Sequence, residues 1–374
     1  MVLNKKIIIY VVNVDWFFVS HRLPLAEEAL KQGMDVYLIT KNTGCFTPLQ
    51  NIGIKCIDVN FKRSGKNPLT EIFLIIKLAR HYCKIKPNYI HHITLKPSIY
   101  GSIAGKLIKL DTKIINAISG LGYIFIDGRK TISKFIIKIL LNLAFSDKKA
   151  NFIFQNPDDQ KLFSNYGFIK SSNHIIIKGS GVDELKYQSK IKSNNDKIKI
   201  VLLARMLKDK GIIEFINAAN LLKSKYEFKF EFLLAGTIDN NNPASISEHE
   251  LMSYCDNSYI KWIGFQNDVK IVYENCDIVC LPSYREGLPK SLVEAMAMEL
   301  PIITTDTPGC RECVDHEYNG FLVPVKDHIE LANKIERLGL DFDLRIKMGK
   351  MSRVKMLKEM SLKTVIAETF KFYN

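Results

Sequence analysis

Residues 280–304 read CLPSYREGLPKSLVEAMAMELPIIT and contain the pattern that decides the fold. The apolar run that ends at Leu281 predicts a buried strand, and a loop follows it. Proline is favoured in the first turn of a helix, so a helix is expected to begin near Pro289. Ile302–Thr305 predicts the next buried strand. A strand, a helix and a second strand in this order indicate a parallel sheet that is covered by helices.

The same alternation of β-rich runs and helical stretches continues in both directions along the chain. In the second half the strand candidates are Ile200–Ala204, Phe230–Ala235, Tyr259–Ile263, Ile278–Leu281, Ile302–Thr305 and Phe321–Val323. In the first half they are Ile7–Val12, Val36–Thr40, Lys55–Val59, Tyr89–Ile93, Lys113–Ala117, Phe152–Phe154 and Ile175–Ile177. Residues 187–198 lose this periodicity and fill with Ser, Asn and Lys, which predicts a linker. We therefore expect an α/β chain of two Rossmann-like, doubly wound domains, residues 1–186 and 199–360, facing across a cleft.

Length and composition agree with two ordinary globular domains. The chain has 374 residues, of which 47% are hydrophobic and 25% charged. Eight scattered cysteines indicate a reducing compartment without disulfides. No apolar run reaches the roughly 20 residues that span a bilayer, so no integral membrane segment is expected. Residues 132–145, ISKFIIKILLNLAF, fit either a buried core helix or a helix at a membrane interface.

Positive charge is concentrated in the first half. Residues 1–190 hold 28 Lys and Arg against 13 Asp and Glu, a net charge of +15, whereas residues 191–374 have a net charge of −1. A one-sided basic domain indicates an anionic partner: nucleic acid, a phosphorylated substrate or an acidic membrane surface. A lysine-rich composition that serves only solubility explains the same charge.

Two common nucleotide-binding motifs are absent. The loop after the first strand, NVDWFFVSHR at 13–22, contains no glycine, although a dinucleotide fingerprint needs one for close approach to pyrophosphate. Gly101, Gly105 and Lys106 have the wrong spacing for a P-loop, and Leu107 stands where a hydroxyl would bind magnesium. These absences argue against a conventional dehydrogenase or ATPase.

Two glutamates accompany the helix that begins near Pro289. A carboxylate is unusual beside helix amides that favour anions, unless it accepts hydrogen bonds from hydroxyls while the amides hold the charge. A sugar nucleotide offers this combination. Its diphosphate would bind the amides of Lys290, Ser291 and Leu292, while Glu286 and Glu294 would take ribose and sugar hydroxyls. The alternative is structural, with Glu286 capping the helix and Glu294 solvated.

Two cations are expected near the same edge of the sheet. Arg205 follows a strand, and Lys210 precedes the helix that Gly211 introduces, so both can point into one cleft. Departure of a nucleoside diphosphate builds charge on a phosphate oxygen, which fixed cations stabilise in the transition state. No Asp/His set has metal-ligand spacing, so we expect neither a metal nor another cofactor. The alternative is a surface charge pair.

Segments in both halves resemble a known family. ARMLKDKGI, WIGFQNDV, CDIVCLPSYREGLPKSLVEAMAMELPIITTD and EYNGFLVP, in this order and spacing, resemble the retaining glycosyltransferases of family 4, which have the GT-B fold. In the first half, SHRLPLAEEALKQGMDVYLIT, HHITLKPSIYGSIAGK and SGLGYIF are similar to bacterial enzymes that extend lipid-linked O-antigen, capsule or N-glycan precursors. The latter include N-acetylgalactosaminyltransferases of the general glycosylation pathway.

The resemblance implies transfer of a hexose or N-acetylhexosamine from a nucleotide diphosphate, most simply UDP, with retention of configuration. Glu286 is then expected to contact the donor sugar and Glu294 the ribose, while Arg205 and Lys210 bind the diphosphate. Glu286, Arg205 and Lys210 are the residues expected to act in catalysis. No carboxylate is assigned as the general base that inversion requires, so the leaving phosphate itself would take the acceptor proton.

The resemblance extends to the nucleotide base and the end of the chain. Gly264 and Phe265 correspond to a loop that packs near the base in the family. Residues 361–374 are expected to form a helix that crosses back onto the first domain, as in relatives.

The acceptor is expected on the first domain, where the sequence departs from the family twice. Many members have glycines in the first loop, where this chain reads Asp15-Trp16-Phe17, and many carry a histidine where it reads Ser119-Gly120. The candidate acceptor-side residues are His21, Arg63, His92, Lys96, Ser119 and Gly120. An imidazole at a strand end also has a purely structural interpretation.

A lipid-linked acceptor would explain the basic first half. A saccharide on polyprenyl diphosphate lies at an anionic leaflet, which attracts a basic domain. Lys62, Arg63 and Lys66 are the candidates for this contact, and the expected location is the cytoplasmic side, peripheral on the inner face of the plasma membrane. The expected partners are thus a nucleotide-sugar donor, a lipid-linked acceptor and an anionic membrane surface.

Two other functions compete with this interpretation. A sugar-nucleotide epimerase of the same fold would use the donor alone. A nucleic-acid-binding protein would explain the charge, but the basic residues lack interleaved aromatic residues, so no nucleic acid is expected. Cys310 and Cys313 form a single pair, which supplies only two metal ligands.

Overall fold

The computed structural model describes residues 5–61, 68–109, 111–120, 132–145, 150–169, 173–189, 197–240 and 242–373. By their internal contacts, these residues form two compact units. The first contains the residues up to Ser180 and those from Val365 onward, and the second spans Gly181–Thr364. Each unit is built on one parallel sheet, which confirms the predicted α/β class with two doubly wound domains.

The first sheet has seven strands. They are β1 (Ile7–Val14), β2 (Asp35–Lys41), β3 (Lys55–Asp58), β4 (Tyr89–Ile93), β5 (Lys113–Ile118), β6 (Asn151–Phe154) and β7 (His174–Ile176). Their order is β3-β2-β1-β4-β5-β6-β7, and every pairing is parallel. Each strand overlaps one predicted above. The inner strands β1, β4 and β5 are largely buried, as is usual for parallel strands that are covered on both faces.

Helices cover both faces of the first sheet. They are α1 (Asp15–His21), α2 (Leu23–Lys31), α3 (Phe46–Asn51), α4 (Pro68–Ile85), α5 (Leu95–Leu107), α6 (Ile132–Phe145) and α7 (Pro157–Asn165). Successive residues of β1 point to opposite faces. Tyr10 therefore packs in the cluster that contains Phe18 and Leu25, whereas Ile9 packs in the one that contains Leu78 of α4.

The second sheet has six parallel strands. They are β8 (Ile198–Leu203), β9 (Phe230–Ala235), β10 (Ile260–Trp262), β11 (Ile278–Leu281), β12 (Ile302–Thr305) and β13 (Gly320–Val323). Their order is β10-β9-β8-β11-β12-β13. Because β8 pairs with β9 on one side and β11 on the other, the strand order reverses there.

The remaining helices are α8 (Ile212–Tyr226), α9 (Glu248–Tyr254), α10 (Val269–Glu274), α11 (Lys290–Ala297), α12 (His328–Leu340), α13 (Phe342–Glu359) and α14 (Leu362–Tyr373). The helix predicted after the deciding strand is α11, and Pro289 precedes it as its N-cap. One hydrophobic cluster fills the second unit and includes Phe215 of α8, Leu292 of α11 and Leu331 of α12.

The boundary between the units differs from the sequence prediction. It falls at Ser180 rather than in residues 187–198, because Val182 and Tyr187 are buried in the core of the second unit. Residues 190–196 lie outside the described ranges. The end of α14 belongs to the first unit, where the Tyr373 hydroxyl lies 2.6 Å from Nδ1 of the buried His91.

Helix α6 combines features of the two alternatives drawn from its sequence. Leu141, Ala144 and Phe145 are buried, whereas Ile136 and Leu143 are exposed. Among the helices in the described part of the chain, none is both long and apolar enough to cross a bilayer.

Candidate functional site

The candidate donor site lies where the strand order of the second sheet reverses. Loops that follow strands on either side of such a point border a crevice at the carboxyl edge, which is where ligands of these sheets bind. Arg205 and Lys210 follow β8, and Glu286 follows β11. The fold thus brings the loops of the predicted cations and of the predicted acid Glu286 to the same edge of the sheet.

A tight turn brings Lys210 to the loop after β11. Gly211 has φ +75°, and a Cβ atom there would lie 2.2 Å from the Pro282 carbonyl oxygen, so the approach requires glycine. The Asp209 carbonyl accepts hydrogen bonds from the Ser283 hydroxyl at 3.1 Å and from the Tyr284 amide at 2.9 Å. These contacts fix the two loops against each other.

Lys210 and Glu286 form a close ion pair within this pair of loops. Lys210 Nζ donates to Glu286 Oε1 at 2.5 Å, and Ser283 Oγ donates to the same oxygen at 2.9 Å. The two charged side chains are only 16% and 14% exposed. Charges this far from water stabilise each other only while both are present. The structural alternative required Glu286 to cap α11. The carboxylate is instead paired with Lys210, and the N-cap position of α11 is Pro289.

The loop after β12 supports Glu286 from the other side. The Glu286 amide donates to the Pro308 carbonyl at 3.1 Å. Gly309 has φ +80°, and a Cβ atom there would lie 2.5 Å from the Gly287 carbonyl oxygen. Only glycine permits this approach, so Gly309 helps to determine where Glu286 sits.

Arg205 is paired with an acid that sequence reasoning did not identify. Its Nη1 donates to Asp239 Oδ2 at 2.6 Å, and the guanidinium group is partly exposed. Asp239 follows β9, the neighbour of β8, so the same edge of the sheet supplies both residues.

Glu294 is buried rather than solvated. It lies on α11 with 6% of its surface exposed, and burial raises the pKa of its carboxyl group although Lys290 opposes the shift. Lys290 Nζ lies 3.4 Å from Glu294 Oε1, and the Tyr187 hydroxyl donates to that oxygen at 3.0 Å. The structural alternative of a solvated Glu294 is therefore wrong.

Tyr187 is a site residue that the sequence analysis missed, because its neighbours read as a linker. Arg353 Nη1 donates to the Tyr187 carbonyl at 2.9 Å, which anchors the segment on the second unit. The sequence offered one indication that Tyr187 is buried: it is an aromatic residue at the start of a polar stretch. Buried tyrosines usually place their hydroxyl on a polar partner.

The predicted phosphate-binding amides lie at the start of α11. The Leu292 amide already donates to the Pro289 carbonyl at 3.1 Å, and its side chain is fully buried in the core. The Ser291 carbonyl accepts from the Tyr273 hydroxyl at 2.8 Å. Of the three predicted amides, that of Leu292 is thus occupied by the helix itself.

Gly264 and Phe265 lie after β10, at the carboxyl edge of the same sheet. Gly264 has φ +66°, and its carbonyl accepts from the Gly236 amide at 2.8 Å. The Phe265 side chain is 66% exposed. An exposed ring at this edge can stack on a planar base.

On the first unit, the structure corrects the expectation for His92. The side chain is fully buried, with Nδ1 2.9 Å from Asn116 Oδ1 and Nε2 3.0 Å from the Tyr82 hydroxyl. Burial lowers the pKa of this imidazole to about 4. A Cβ atom on Gly101 would collide with the ring, which shows how closely α5 covers it. His92 is therefore a hydrogen-bonded group of the core in this structure, without exposed surface that an acceptor could contact.

The other acceptor-side candidates occupy different positions. His21 stacks on Phe17 with ring centroids 4.1 Å apart. Lys96 Nζ is 3.0 Å from Glu71 Oε1, so this lysine joins α5 to α4. Ser119 and Gly120 follow β5 at the carboxyl edge, where both are partly exposed. Arg63, Lys62 and Lys66 lie outside the described residues.

Asp15, which departs from the family pattern, has a structural role. Its buried carboxylate accepts from the amides of Trp16, Thr43 and Cys45 at 2.7–3.0 Å. Burial opposes ionisation, but a hydrogen bond from the Thr43 hydroxyl and these three amide bonds outweigh it and lower the pKa of Asp15. The residue holds the loop after β2 against the start of α1.

The structure buries both members of the cysteine pair, Cys310 and Cys313. Burial together with the nearby Glu286 carboxylate raises the pKa of Cys310 to about 11. Within the described ranges, no three His, Cys, Asp or Glu side chains are grouped so that they could hold a metal ion.

Known glycosyltransferases are similar to this chain over almost its whole length. The family model of group 1 glycosyl transferases matches residues 183–355, and the glycosyl transferase 4-like model matches residues 7–156. The chain is 29% identical, over 88% of each sequence, to the N,N'-diacetylbacillosaminyl-diphospho-undecaprenol alpha-1,3-N-acetylgalactosaminyltransferase of Campylobacter jejuni. It is 27% identical, over 95% of each, to the capsular polysaccharide biosynthesis glycosyltransferase CapM of Staphylococcus aureus.

Solved structures share the fold. A glycosyltransferase from Rickettsia africae superposes with a TM-score of 0.78 at 19% identity, covering 99% of this chain and 98% of the other. Anabaena HepE in complex with UDP superposes with a TM-score of 0.76 at 18% identity, covering 98% and 99%. The two family models, the relatives and this fold agree with one another: the chain belongs to the glycosyltransferases, with a 4-like domain, a group 1 domain and the GT-B fold.

Proposed function

We propose that this glycosyltransferase moves a hexose or N-acetylhexosamine from a UDP-sugar to a saccharide carried on polyprenyl diphosphate, with retention of configuration and without a metal ion. The observation that carries the proposal is the ion pair of Lys210 and Glu286 at the reversal point of the second sheet, with Arg205 on the loop after β8 and the buried Glu294 on α11.

The ion pair provides charge at the place where a diphosphate is expected. When a donor binds, its β-phosphate replaces Glu286 as the partner of Lys210, and Glu286 becomes available to accept a hydroxyl of the sugar. Arg205 can exchange Asp239 for a phosphate oxygen in the same way. Each cation keeps a partner of opposite charge in both states, so neither is left unpaired in a partly dry site.

The transfer step breaks the bond between the anomeric carbon and the β-phosphate oxygen and forms a bond from that carbon to the acceptor hydroxyl. Charge develops on the departing oxygen, where Lys210 and Arg205 stabilise it more strongly than in the ground state. The acceptor proton passes to this oxygen on the face from which UDP leaves. A leaving group that also acts as base favours retention, because entry and departure share one face of the sugar.

The relatives support the substrate classes. The Campylobacter jejuni relative carries undecaprenol diphosphate in its name, and HepE has been crystallised with UDP and with UDP-glucose. An Escherichia coli relative, 23% identical over 86% of this chain, is a galactosyltransferase that uses UDP-Gal and a diphosphoundecaprenol acceptor. With such an acceptor the enzyme would work in assembly of surface polysaccharide, at the cytoplasmic face of an anionic membrane.

The test is incubation of chelator-treated protein with UDP-sugars and a polyprenyl-diphosphate-linked saccharide, followed by NMR of the product. We expect transfer that chelation does not reduce and an anomeric configuration equal to that of the donor. An inverted product or a requirement for added metal would contradict the proposal. Isomerised donor in the absence of acceptor would point to an epimerase.

A further inference from the structure

One face of helix α4 exposes apolar side chains in a continuous stripe. Ile72 is 52% exposed, Phe73 is 71% exposed, and Leu69 and Ile76 lie on the same side. The spacing of these four positions keeps them on one face of a helix. The opposite face carries Leu74, Leu78 and Tyr82, which pack into the core. Helix α4 is therefore apolar on both faces along its first half.

The apolar surface continues beyond α4. Both α4 and α6 pack against α5, and α6 exposes Ile136, Ile139 and Leu143 at helical spacing. Leu107, at the end of α5, is also exposed, and Lys106 Nζ donates to the Leu143 carbonyl at 2.9 Å. A shallow groove lies between the second half of α4 and the end of α5.

Cations border this apolar surface. The exposed stripe of α4 passes from its apolar half to Lys77, Arg80 and Lys84. Arg80 and Lys84 also line the groove beside Leu107. Among the described residues of this stripe there is no carboxylate. Apolar side chains followed by unbalanced positive charge fit a surface that is apolar inside and anionic outside.

We propose that the exposed faces of α4 and α6, with Leu107, form a docking surface for an anionic bilayer. The apolar side chains enter the boundary between headgroups and acyl chains, and Lys77, Arg80 and Lys84 contact lipid phosphates. This inference rests on the proposed function, because a lipid-linked acceptor requires the enzyme to work at a membrane. A second copy of the chain fits less well, since a symmetric contact would bring these cations together.

The surface also leads toward the predicted acceptor side. Helices α4, α5 and α6 run antiparallel to the strands, so their first turns lie at the carboxyl edge of the first sheet. The ion pair of Glu71 with Lys96 joins the first turns of α4 and α5 there. Ile72 and Phe73 thus lie near the start of α5, which carries Lys96. A bilayer on this face would present its lipid headgroups close to that edge.

The test is flotation of the full chain with vesicles of phosphatidylglycerol and phosphatidylcholine, and with vesicles of phosphatidylcholine alone. We expect binding to the anionic vesicles that weakens with salt. The double variant Ile72→Asn/Phe73→Asn removes two exposed apolar side chains and should weaken binding about tenfold or more. Arg80→Gln/Lys84→Gln should weaken it by about tenfold as well and reduce its dependence on salt.

Matched controls lie on the second unit. Leu221 is 51% exposed and Phe228 91% exposed, so Leu221→Asn/Phe228→Asn removes comparable apolar surface. Lys347→Gln/Lys350→Gln removes two exposed charges. Both should bind vesicles like the wild type. Thermal unfolding of every variant shows whether it is folded, and the charge variant provides a second test if the apolar variant is not.

Several results would overturn the inference: equal binding of the α4 variants and the wild type, equal binding to both kinds of vesicle, or a wild-type dimer that Ile72→Asn/Phe73→Asn dissociates. Flotation requires no sugar transfer, and transfer to a detergent-dispersed acceptor requires no vesicle. If the wild type floats and the α4 variants do not, while no sugar is transferred, the docking surface stands and the proposed function fails. If sugar is transferred in detergent while the α4 variants float like the wild type, the proposed function stands and the docking surface fails.

Discussion

Replacing Lys210 by methionine tests the donor site most sharply, because it separates the ion pair from its catalytic use. Methionine keeps an unbranched side chain of similar length but cannot pair with Glu286. The remaining carboxylate, 14% exposed, would keep only the Ser283 hydroxyl among the side-chain donors described here. Removing one member of a fully buried ion pair costs about 3–5 kcal/mol, so we expect a loss of about 2–3 kcal/mol at this slightly exposed site.

The second variant is Lys210→Met/Glu286→Gln, in which no charge is left unpaired. Its free energy of unfolding should return to within about 1 kcal/mol of the wild type. Catalysis should not return, because the cation that stabilises the departing phosphate is still missing. We expect kcat to fall by roughly 10²–10³-fold in both variants, which corresponds to about 3–4 kcal/mol.

Urea unfolding at neutral pH measures the first effect, and steady-state kinetics with donor and acceptor measures the second. Lys208→Met is the matched control: this neighbouring lysine is 54% exposed and lies 3.4 Å from Glu250. It should change stability by no more than about 0.5 kcal/mol and leave kcat unchanged. Wild-type stability and turnover in Lys210→Met, or a double variant less stable than the single one, would refute the reasoning.

Three further variants probe the groups around this pair. Tyr187→Phe removes the hydroxyl that donates to Glu294 and should raise the donor KM about tenfold with little change in kcat; an unchanged KM contradicts a positioning role. The fold raises the pKa of Glu294 above its unfolded value, so the ionised form is penalised at neutral pH and the penalty disappears as pH falls below the unfolded value. Glu294→Gln should therefore be more stable than the wild type at neutral pH, with a difference that closes in acid; a constant difference in urea unfolding argues against it. Gly309→Ala should lower the free energy of unfolding by about 2 kcal/mol or more and reduce kcat, because its Cβ would meet the Gly287 carbonyl. The control Gly167→Ala, with φ +71° and no atom within 4 Å, should lower the free energy of unfolding by only about 1 kcal/mol. Equal losses of stability in thermal unfolding would exclude the close contact as the cause.

The strands and the position of the donor site could be predicted from the sequence. Ile278–Leu281 is continuous and apolar, and Phe230–Ala235 is apolar except for Glu231; the structure has strands with the same bounds. Residues that follow such strands share one edge of a parallel sheet, which is why Lys210 and Glu286 could be expected together. Their direct ion pair could not be foreseen, since it depends on the approach of Gly211 to the Pro282 carbonyl.

Contacts between residues distant in sequence account for the misses. His92 bonds Tyr82 and Asn116, and nothing in its local sequence distinguishes it from a histidine at an exposed strand end. Its place in a strand near the centre of a parallel sheet was the available signal, because such strands are buried on both faces. Tyr187 reaches Glu294 across 107 positions of the chain. Composition alone therefore marked the segment as a linker.

The structure does not test the membrane contact that was predicted from charge. Charge counting drew attention to Lys62, Arg63 and Lys66, which lie outside the described residues. The hydrophobic periodicity of the sequence does not reveal the exposed stripe of α4. Ile72 and Phe73 belong to a helix that is apolar on the core side as well, so the pattern does not show which apolar side is exposed. Exposure of one side follows from how α4 packs against α5, which only the fold provides.

A crystal structure of the protein with UDP tests the central claim most directly. The account predicts the β-phosphate in contact with Lys210 Nζ and the Arg205 guanidinium, the ribose hydroxyls on Glu294, and Glu286 released from Lys210. Density for UDP elsewhere on the chain, or a bound diphosphate with the Lys210–Glu286 pair intact and Glu294 far from the ribose, would contradict it.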